Sequence, residues 1–346
     1  MSSAGVVDLS VIIPTYNRAQ FLPVVVNSLR KSGAEGLEIL IVDDGSTDDT
    51  AAVANGLGEP VRYILQKNAG PAAARNNGFG QAKGRYLAFV DSDDGWLPGA
   101  ADGLIRLLDR HPDVDVLFTD ARMGNDTDGF VSWIDIAGGS AFAALPGREI
   151  EAHVRVLDRR PLFRRMAERN MVFISCTVVR REAFAKIGMF DPSLCGAADW
   201  HLWLRLASRS NFAFRRQPLG MYYRHDACMS NDHDGMKREF CMTLKTLLED
   251  GSLGADGDRE WVRQRLRHHL FGYAYTAYDR GDYAEARRRF AALLRDGGLE
   301  VKGAAYWLLT ALPLGLGRRL RRIMHSLAPR AANAATRPAE TVSTDP

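Results

Sequence analysis

Short β-type runs alternate with helical patterns over the first 118 residues, and this alternation restricts the possible folds more than any other sequence feature. The β-type runs begin at Leu9, Leu37, Val61, Tyr86 and Val114. Strands separated by helices of this length predict βαβ units and an α/β fold with a mostly parallel sheet. In such sheets, ligands bind beyond the carboxyl ends of the strands.

Three of these β-type runs are followed directly by a cluster of polar side chains. The clusters are residues 14–18 (PTYNR), 43–46 (DDGS) and 91–94 (DSDD). Because each one follows a β run, we expect all three to lie along the same edge of the sheet. An isolated Asp-Gly-Ser sequence is usually only a turn, so the shared location indicates a site more strongly than any single cluster.

The third cluster has the pattern of a divalent-cation site. Asp91 and Asp93 lie two residues apart after an apolar run, so both carboxylates can point toward one hard cation. Mg²⁺ and Mn²⁺ prefer oxygen ligands and share their remaining positions with phosphates, where they act as Lewis acids toward a diphosphate leaving group. An acidic turn that caps the next helix explains this cluster equally well when it is considered alone.

A fixed positive charge for a diphosphate is predicted at Arg75, near the start of a helical pattern in segment 68–76 (NAGPAAARN). A helix N-terminus together with a guanidinium forms an anion site, although an exposed helical arginine is the simpler interpretation. The nearby segment 78–84 (GFGQAKG) is not a dinucleotide-binding motif. Its third glycine comes one position late, and the segment precedes a strand where such a motif follows one.

Composition excludes several classes of protein. The 346 residues are 46% hydrophobic and 25% charged, as in folded globular chains, and a net charge of +3 is too small to indicate nucleic-acid binding. The four cysteines form no C-x-x-C pair, and no apolar run approaches the roughly 20 residues of a membrane span. We therefore predict a cytoplasmic protein without a structural zinc site.

The motifs, taken in order, resemble those of the family 2 glycosyltransferases, which have a GT-A fold. They are LSVIIPTYNR at 9–18, VDDGSTDDT at 42–50, NAGPAAARNNG at 68–78, FVDSDD at 89–94 and ADWHLWLRLA at 198–207. The resemblance covers roughly residues 9–230 and implies a catalytic domain over residues 8–235. It also implies that a sugar passes, with inversion, from a nucleotide-diphosphate donor, expected to be a UDP-sugar, to an acceptor hydroxyl.

The resemblance implies a set of nucleotide-binding residues. Tyr16 corresponds to the aromatic residue that packs against the nucleobase, and Asp43 corresponds to the carboxylate that accepts a hydrogen bond from the base. Arg75 corresponds to a diphosphate contact. The complete predicted nucleotide-binding set is Pro14, Tyr16, Asp43, Arg75 and Asp91.

The resemblance also implies the metal ligands and the catalytic group. Asp91 and Asp93 correspond to the D-x-D pair that reaches the ribose and a Mn²⁺ or Mg²⁺ ion. Asp199 corresponds to the general base, which takes the proton of the acceptor hydroxyl in the transition state. The sequence departs from the usual family pattern at Ala198 and His201, where acids are common, and His201 is the first alternative base.

Beyond residue 235 the pattern is mainly helical. We predict a helical extension, a basic amphipathic segment and a disordered tail, over residues 236–300, 301–330 and 331–346. An apolar stretch that begins at Ala304 is followed by four arginines between residues 318 and 322, which suits the anionic inner face of a membrane. Packing of the same apolar side chains on the protein explains the pattern equally well, so peripheral membrane association stays open.

Two other functions fit the motifs less well. A sugar-phosphate nucleotidyltransferase would carry a Gly- and Arg-rich loop after the first strand, where this chain has residues 14–17 (PTYN). A non-catalytic sugar-nucleotide-binding protein would be favoured by loss of Asp93 or Asp199, but both residues are present. The expected partners are a nucleotide sugar and a saccharide or lipid-linked acceptor. His225, in segment 222–230, is either a phosphate or metal contact or a structural histidine.

Overall fold

The computed structural model describes residues 7–34, 36–125, 129–223, 232–253, 256–296 and 301–311. The chain divides into two compact units, Met1–His269 and Leu270–Pro346. Helical structure that the sequence predicts from residue 236 onward therefore contributes to both units. No helix within the described ranges is long and apolar enough to span a bilayer.

The strands of the described residues all belong to one sheet. They are β1 (Leu9–Thr15), β2 (Leu37–Asp43), β3 (Val61–Leu65), β4 (Tyr86–Phe89), β5 (Gly95–Trp96), β6 (Val116–Asn125), β7 (Gly129–Ser132), β8 (Gly147–Glu151), β9 (Val154–Leu157), β10 (Thr177–Arg180) and β11 (Phe212–Tyr223).

The helices follow the strands in an alternating order over the first part of the chain. They are α1 (Leu22–Lys31), α2 (Thr50–Gly56), α3 (Pro71–Gln81), α4 (Leu104–Arg110), α5 (Trp133–Ala137), α6 (Gly139–Ala143), α7 (Arg159–Glu168), α8 (Ala198–Arg209), α9 (His233–Glu249), α10 (Asp256–Asp279), α11 (Tyr283–Asp296) and α12 (Val301–Leu309). Two 3₁₀ segments, Ile174–Cys176 and Arg181–Lys186, flank β10.

The first four strands form the parallel part of the sheet, in the order β3-β2-β1-β4. Thr15 lies opposite Asp43, and Ile12 lies opposite Phe89, so the carboxyl ends of β1, β2 and β4 share one edge. The side chains of these three strands are almost entirely buried, as expected for parallel strands covered on both faces. The α/β fold predicted from the alternating pattern is confirmed.

The second part of the sheet is mixed, which the alternating pattern did not indicate. Strand β10 lies antiparallel between β4 and β6, and β11 then runs parallel to β6. The order continues through β11 to β9 and β8. Pairing of strands so far apart in the chain depends on tertiary packing, since their individual sequences specify only that they are apolar strands.

Helix α3 packs closely on the parallel strands because of a glycine. A Cβ atom at Gly78 would lie 2.5 Å from Ile12 Cγ2 of β1 and 3.0 Å from Val42 Cγ2 of β2. Any larger residue would push the helix away from the sheet, and overpacking of this kind costs about 1–3 kcal/mol. The glycine that begins segment 78–84 therefore serves helix–sheet packing.

The second unit has its own apolar core. Tyr278, Phe290 and Tyr306 are buried there, and Phe271 packs against them. Tyr306 lies on α12, in the stretch that the sequence indicates as a candidate membrane segment, and its ring contacts Phe271 with the centroids 5.6 Å apart. Residues 312–330 of that stretch lie outside the described residues.

Candidate active site

The ends of β1, β2 and β4 bring the three predicted polar clusters to one edge. Asp43 is the last residue of β2, Tyr16 follows the last residue of β1, and Asp91 lies two residues after β4. Since β1 lies between β2 and β4, Asp43 and Asp91 are about two strand spacings, or roughly 10 Å, apart across the sheet. An extended nucleoside diphosphate can lie along this edge.

The β1–β2 end of the edge combines a buried carboxylate with an exposed ring. Asp43 is only 1% exposed, and it accepts hydrogen bonds from the Ser46 N–H at 2.8 Å and the Tyr63 hydroxyl at 2.7 Å. Burial, together with this bond to Asp43, raises the pKa of Tyr63 to about 12. Tyr16 is 47% exposed, so its ring is available as a platform. Pro14 is buried in β1 opposite Val42.

Side chains of neighbouring loops hold this end in place. Asn17 donates its N–H to Ser46 Oγ at 2.8 Å, and its side-chain oxygen accepts the Thr47 N–H at 2.8 Å. Asp44 accepts the N–H groups of Ala69 and Gly70, both at 2.8 Å. Asp44 thereby fixes the turn from which α3 begins. The sequence pattern did not indicate this role for Asp44.

Arg75 is buried beside the acidic cluster. Its Nη2 donates to Asp91 Oδ1 at 2.6 Å, and its guanidinium lies 5.5 Å from the ring centre of Phe190. The side chain is 7% exposed, and its Nε has no hydrogen-bond partner. A guanidinium held in the second turn of α3, beside the acidic cluster, supplies the fixed positive charge that the sequence predicts for a diphosphate.

The acidic cluster is organised by Ser175. The Ser175 hydroxyl accepts the Asp91 N–H at 3.1 Å and donates to Asp94 Oδ2 at 2.5 Å. Asp94 is 3% exposed, and its other carboxylate oxygen has no partner. Burial and the negative charges of Asp91 and Asp93 raise the pKa of Asp94 well above its usual range. A positive charge bound near these three crowded carboxyl groups would therefore be stabilised by them.

The donor set at this cluster fits a hard divalent cation. Asp91 and Asp93 are partly exposed, whereas one carboxylate oxygen of Asp94 is buried without a hydrogen-bond partner. Within the described ranges, no group of three or more His, Cys, Asp or Glu side chains is arranged to hold a metal by itself. Ligation by Asp91 and Asp93, completed by phosphate oxygens of a substrate, satisfies both observations.

Asp199 lies in the first turn of α8, close to the Arg75–Asp91 pair. Its Oδ1 accepts the Trp200 N–H at 2.6 Å, and its Oδ2 accepts from Asn170 Nδ2 at 3.0 Å. Burial raises the pKa of Asp199 to about 6, opposed by the positive charge of Arg75 and reinforced by the negative charge of Asp91. A carboxylate with this pKa accepts a proton more readily than an ordinary aspartate does.

A pair of hydrogen bonds brings the segment before α8 to α3. Asn76 Nδ2 donates to the Phe190 carbonyl at 2.9 Å, and the Phe190 N–H donates to Asn76 Oδ1 at 3.1 Å. His201 lies two residues after Asp199 but is 1% exposed, and its Nε2 lies 3.3 Å from Asp250 Oδ2. A buried side chain engaged with Asp250 is badly placed to act as the alternative base that the sequence indicates.

The raised pKa of Asp199 predicts a pH-dependent stability difference in the ligand-free protein. The folded state holds the proton more tightly than the unfolded chain does, so stability falls as the pH rises from about 4 through about 6. Asp199→Asn, which resembles the protonated form, should therefore be more stable than the wild type by up to about 3 kcal/mol at pH 8 and by only about 0.5 kcal/mol at pH 4.

Denaturant unfolding at the two pH values measures this difference. The exposed residue Asp135 supplies the matched control, because Asp135→Asn removes a carboxylate without relieving a buried charge. If the stability difference between Asp199→Asn and the wild type is the same at both pH values, the raised pKa of Asp199 is contradicted.

Several side chains around the site carried no interpretable sequence signal. Asn170 holds Asp199, Ser175 holds the acidic cluster, and Phe190 packs on Arg75. Asn170 ends the segment 121–170, which has no regular pattern, and a serine or phenylalanine alone indicates nothing about a site. His225 lies outside the described residues.

The mixed α/β sheet, with polar side chains at the ends of its parallel strands, has the GT-A fold. Residues 10–188 match the family described as Glycosyl transferase family 2, and the chain belongs to that family. An uncharacterized glycosyltransferase of Rickettsia prowazekii is 27% identical over 212 residues, which cover 61% of this chain and 62% of that protein. The GalNAc(5)-diNAcBac-PP-undecaprenol beta-1,3-glucosyltransferase of Campylobacter jejuni is 39% identical over 103 residues, which cover 28% of this chain and 33% of that protein.

Two solved structures share the fold at low sequence identity. S. aureus TarS 1–349 in complex with UDP-GlcNAc has a TM-score of 0.57 and 17% identity, and the match covers 87% of this chain and 84% of TarS 1–349. The mannosyltransferase PcManGT of Pyrobaculum calidifontis, in complex with GDP-Man and Mn²⁺, has a TM-score of 0.55 and 16% identity, with coverage of 88% and 79%. The chain spans about two thirds or less of the length of the Rickettsia prowazekii and Rickettsia typhi relatives, with 62% and 66% of those proteins covered.

Proposed function

We propose that this glycosyltransferase passes a sugar from a UDP-sugar to a hydroxyl group of a saccharide or lipid-linked saccharide, with inversion and with a Mn²⁺ or Mg²⁺ ion. The observation that carries the proposal is the position of Asp199 beside the Arg75–Asp91 pair, at the strand edge where Asp43 and Tyr16 also lie. This arrangement supports the proposed roles of Asp199 as base and Arg75 as diphosphate contact.

The comparisons support the classes of donor and acceptor. TarS was solved with UDP-GlcNAc, and PcManGT was solved with GDP-Man and Mn²⁺, which supports a nucleotide-sugar donor and a divalent metal. The Campylobacter jejuni relative is named for an undecaprenol-linked acceptor, which supports a lipid-linked saccharide. The exposed ring of Tyr16 and the carboxylate of Asp43 would contact the base.

The proposed mechanism is a single displacement. The acceptor oxygen forms a bond to the anomeric carbon of the donor, the bond from that carbon to the diphosphate oxygen breaks, and Asp199 takes the hydroxyl proton. Attack opposite the leaving group inverts the anomeric centre. Arg75 stabilises the charge that develops on the diphosphate, and a metal held by Asp91 and Asp93 would supply Lewis-acid stabilisation of the same charge.

The rate of transfer should depend on pH through Asp199. Only the ionised carboxylate can accept a proton, and its pKa is about 6. We expect kcat/KM to rise about tenfold per pH unit below this value and to level off above it, because kcat/KM reports the free enzyme. Initial rates of transfer measure this profile. UDP affinity, measured over the same pH range, is the control for pH effects on metal binding. An acid limb near pH 4, the ordinary range of an aspartate, would exclude Asp199 as the group observed.

Product analysis separates the proposed activity from its two alternatives. With a panel of nucleotide sugars and Mn²⁺, a glycosyltransferase releases the nucleoside diphosphate, and a chelator stops the release. A nucleotidyltransferase would instead form a nucleotide sugar and pyrophosphate from a sugar phosphate and a nucleoside triphosphate. A non-catalytic protein would bind the nucleotide sugar without turnover.

The domain boundaries and membrane association stay proposals. We retain a catalytic domain over residues 8–235 and a helical extension over residues 236–300. Of the apolar side chains predicted to face a membrane, Tyr306 is buried in the second unit, whereas Leu308 is 59% exposed. Flotation of the full chain with anionic vesicles, compared with a chain that ends at Gly303, tests peripheral association.

A further inference from the structure

Three aromatic side chains form a cluster on the β6–β11 half of the sheet. The aromatic cluster consists of Trp133, Phe173 and Tyr222, with ring centres 5.7 Å apart for Trp133–Phe173 and 5.1 Å apart for Phe173–Tyr222. All three rings are half-buried, whereas Val172 and Ile174, on either side of Phe173, are almost completely buried. Trp133 and Phe173 pack against the hydrophobic core, and all three residues remain partly exposed to solvent.

Segment 170–175 connects the aromatic cluster to the catalytic groups. Asn170 at one end holds Asp199, and Ser175 at the other end holds the acidic cluster. Phe173 lies three residues from Asn170, so their Cα atoms are at most about 11 Å apart. It lies two residues from Ser175, so those Cα atoms are at most about 7 Å apart. The Trp133 indole N–H donates to the Met171 carbonyl at 2.9 Å, which fixes this ring to the same segment.

The position of the aromatic cluster separates it from the nucleotide. The nucleotide-binding edge is formed by β1, β2 and β4, whereas Tyr222 lies on β11 and Trp133 follows β7, which pairs with β6. Strand β10 lies between the two halves, and segment 170–175 leads into it. A molecule on the aromatic cluster would thus approach Asp199 from the side opposite the base-binding end.

We propose that the aromatic cluster is the acceptor subsite and that its occupant is a pyranose ring. A pyranose has an apolar face of axial C–H groups and a rim of hydroxyl groups, so it matches partly exposed aromatic rings that segment 170–175 connects to Asp199. The apolar face of the sugar packs against the tilted rings of Phe173 and Tyr222, whose planes differ by 43°, and one hydroxyl reaches Asp199. This inference rests on the proposed function, since it deepens the identity of the acceptor as a saccharide.

Saturation-transfer NMR on the full chain, with UDP and Mg²⁺ present, tests the subsite directly. The probes are the methyl β-pyranosides of glucose, galactose and N-acetylglucosamine at millimolar concentration. We expect the strongest transfer to the axial protons of one sugar face. Phe173→Leu and Tyr222→Leu should weaken the signal by about fivefold to tenfold, because each removes a stacking ring, whereas Tyr222→Phe should retain it.

Trp261 provides the matched control. It is another half-buried tryptophan, and its ring lies 5.3 Å from the guanidinium carbon of Arg164 and 4.8 Å from that of Arg265, so Trp261→Leu should leave the probe signal unchanged. The proposal is overturned if the wild type gives no signal with any of the three probes. It is also overturned if the leucine variants keep the wild-type signal, or if they lose UDP affinity in parallel, since the cluster would then serve the donor.

The outcome for the subsite is distinguishable from that for the proposed activity. Probe binding does not require turnover, so a wild type that binds pyranosides on these rings but releases no nucleoside diphosphate would contradict the activity alone. Conversely, the leucine variants and the wild type could give equal probe signals while the enzyme still releases nucleoside diphosphate and a chelator stops that release. This result would contradict the subsite alone.

Discussion

Asp199→Asn is expected to reduce sugar transfer by on the order of 100-fold or more while donor affinity stays close to that of the wild type. Asparagine preserves the size of the side chain and can still accept the Trp200 N–H, but it cannot take a proton from the acceptor. The measurement is the rate of glycoside formation, together with the affinity for UDP by calorimetry. The expected division of effects is a large loss in kcat with little change in donor binding.

The control for this prediction is Asp135→Asn, which removes an exposed carboxylate from α5 and should leave transfer unchanged. A transfer rate for Asp199→Asn within a few-fold of the wild-type rate would contradict the assignment of Asp199 as the base. His201 would not then be an obvious replacement, because it is buried and engaged with Asp250. A carboxylate of the acidic cluster would be the next group to test.

Asp93→Ala is expected to abolish metal-dependent donor binding. Loss of one of two protein carboxylates should weaken UDP affinity in the presence of Mn²⁺ by on the order of 100-fold, to the level that the wild type reaches with a chelator. Calorimetric titration with UDP, with Mn²⁺ and then with chelator, measures both values. Unchanged affinity of the variant in Mn²⁺, or wild-type binding that ignores the chelator, would contradict the predicted metal site.

Asp102→Ala is the matched control, because it removes a largely exposed carboxylate that pairs with Arg106, four residues along the chain. Loss of folding is not expected for Asp93→Ala. The negative charge of Asp93 helps to raise the pKa of Asp94, so its removal relieves one like-charge contact. Circular dichroism and denaturant unfolding of the ligand-free variant separate a binding defect from a folding defect.

The sequence alone determined the parallel half of the fold and the position of the strand-end residues. The carboxyl ends of parallel strands lie on one edge of a sheet. Polar residues that directly follow apolar β runs therefore lie on that edge, and the strand pattern by itself places Tyr16, Asp43 and Asp91 there. Helix α3 could also be predicted, because Pro71 marks its start, and it runs from Pro71 to Gln81.

Only the tertiary structure decided how the part of the candidate site around Asp199 is assembled. The antiparallel insertion of β10 between β4 and β6 brings segment 170–175 beside the acidic cluster, and the bonds between Asn76 and Phe190 draw the segment before α8 toward α3. These contacts join residues far apart in the chain, and each is made by a side chain with no periodic or compositional signal. Local sequence pattern determines strands and helices. The burial of Asp199 that raises its pKa, and its position near Arg75, exist only after the chain has packed.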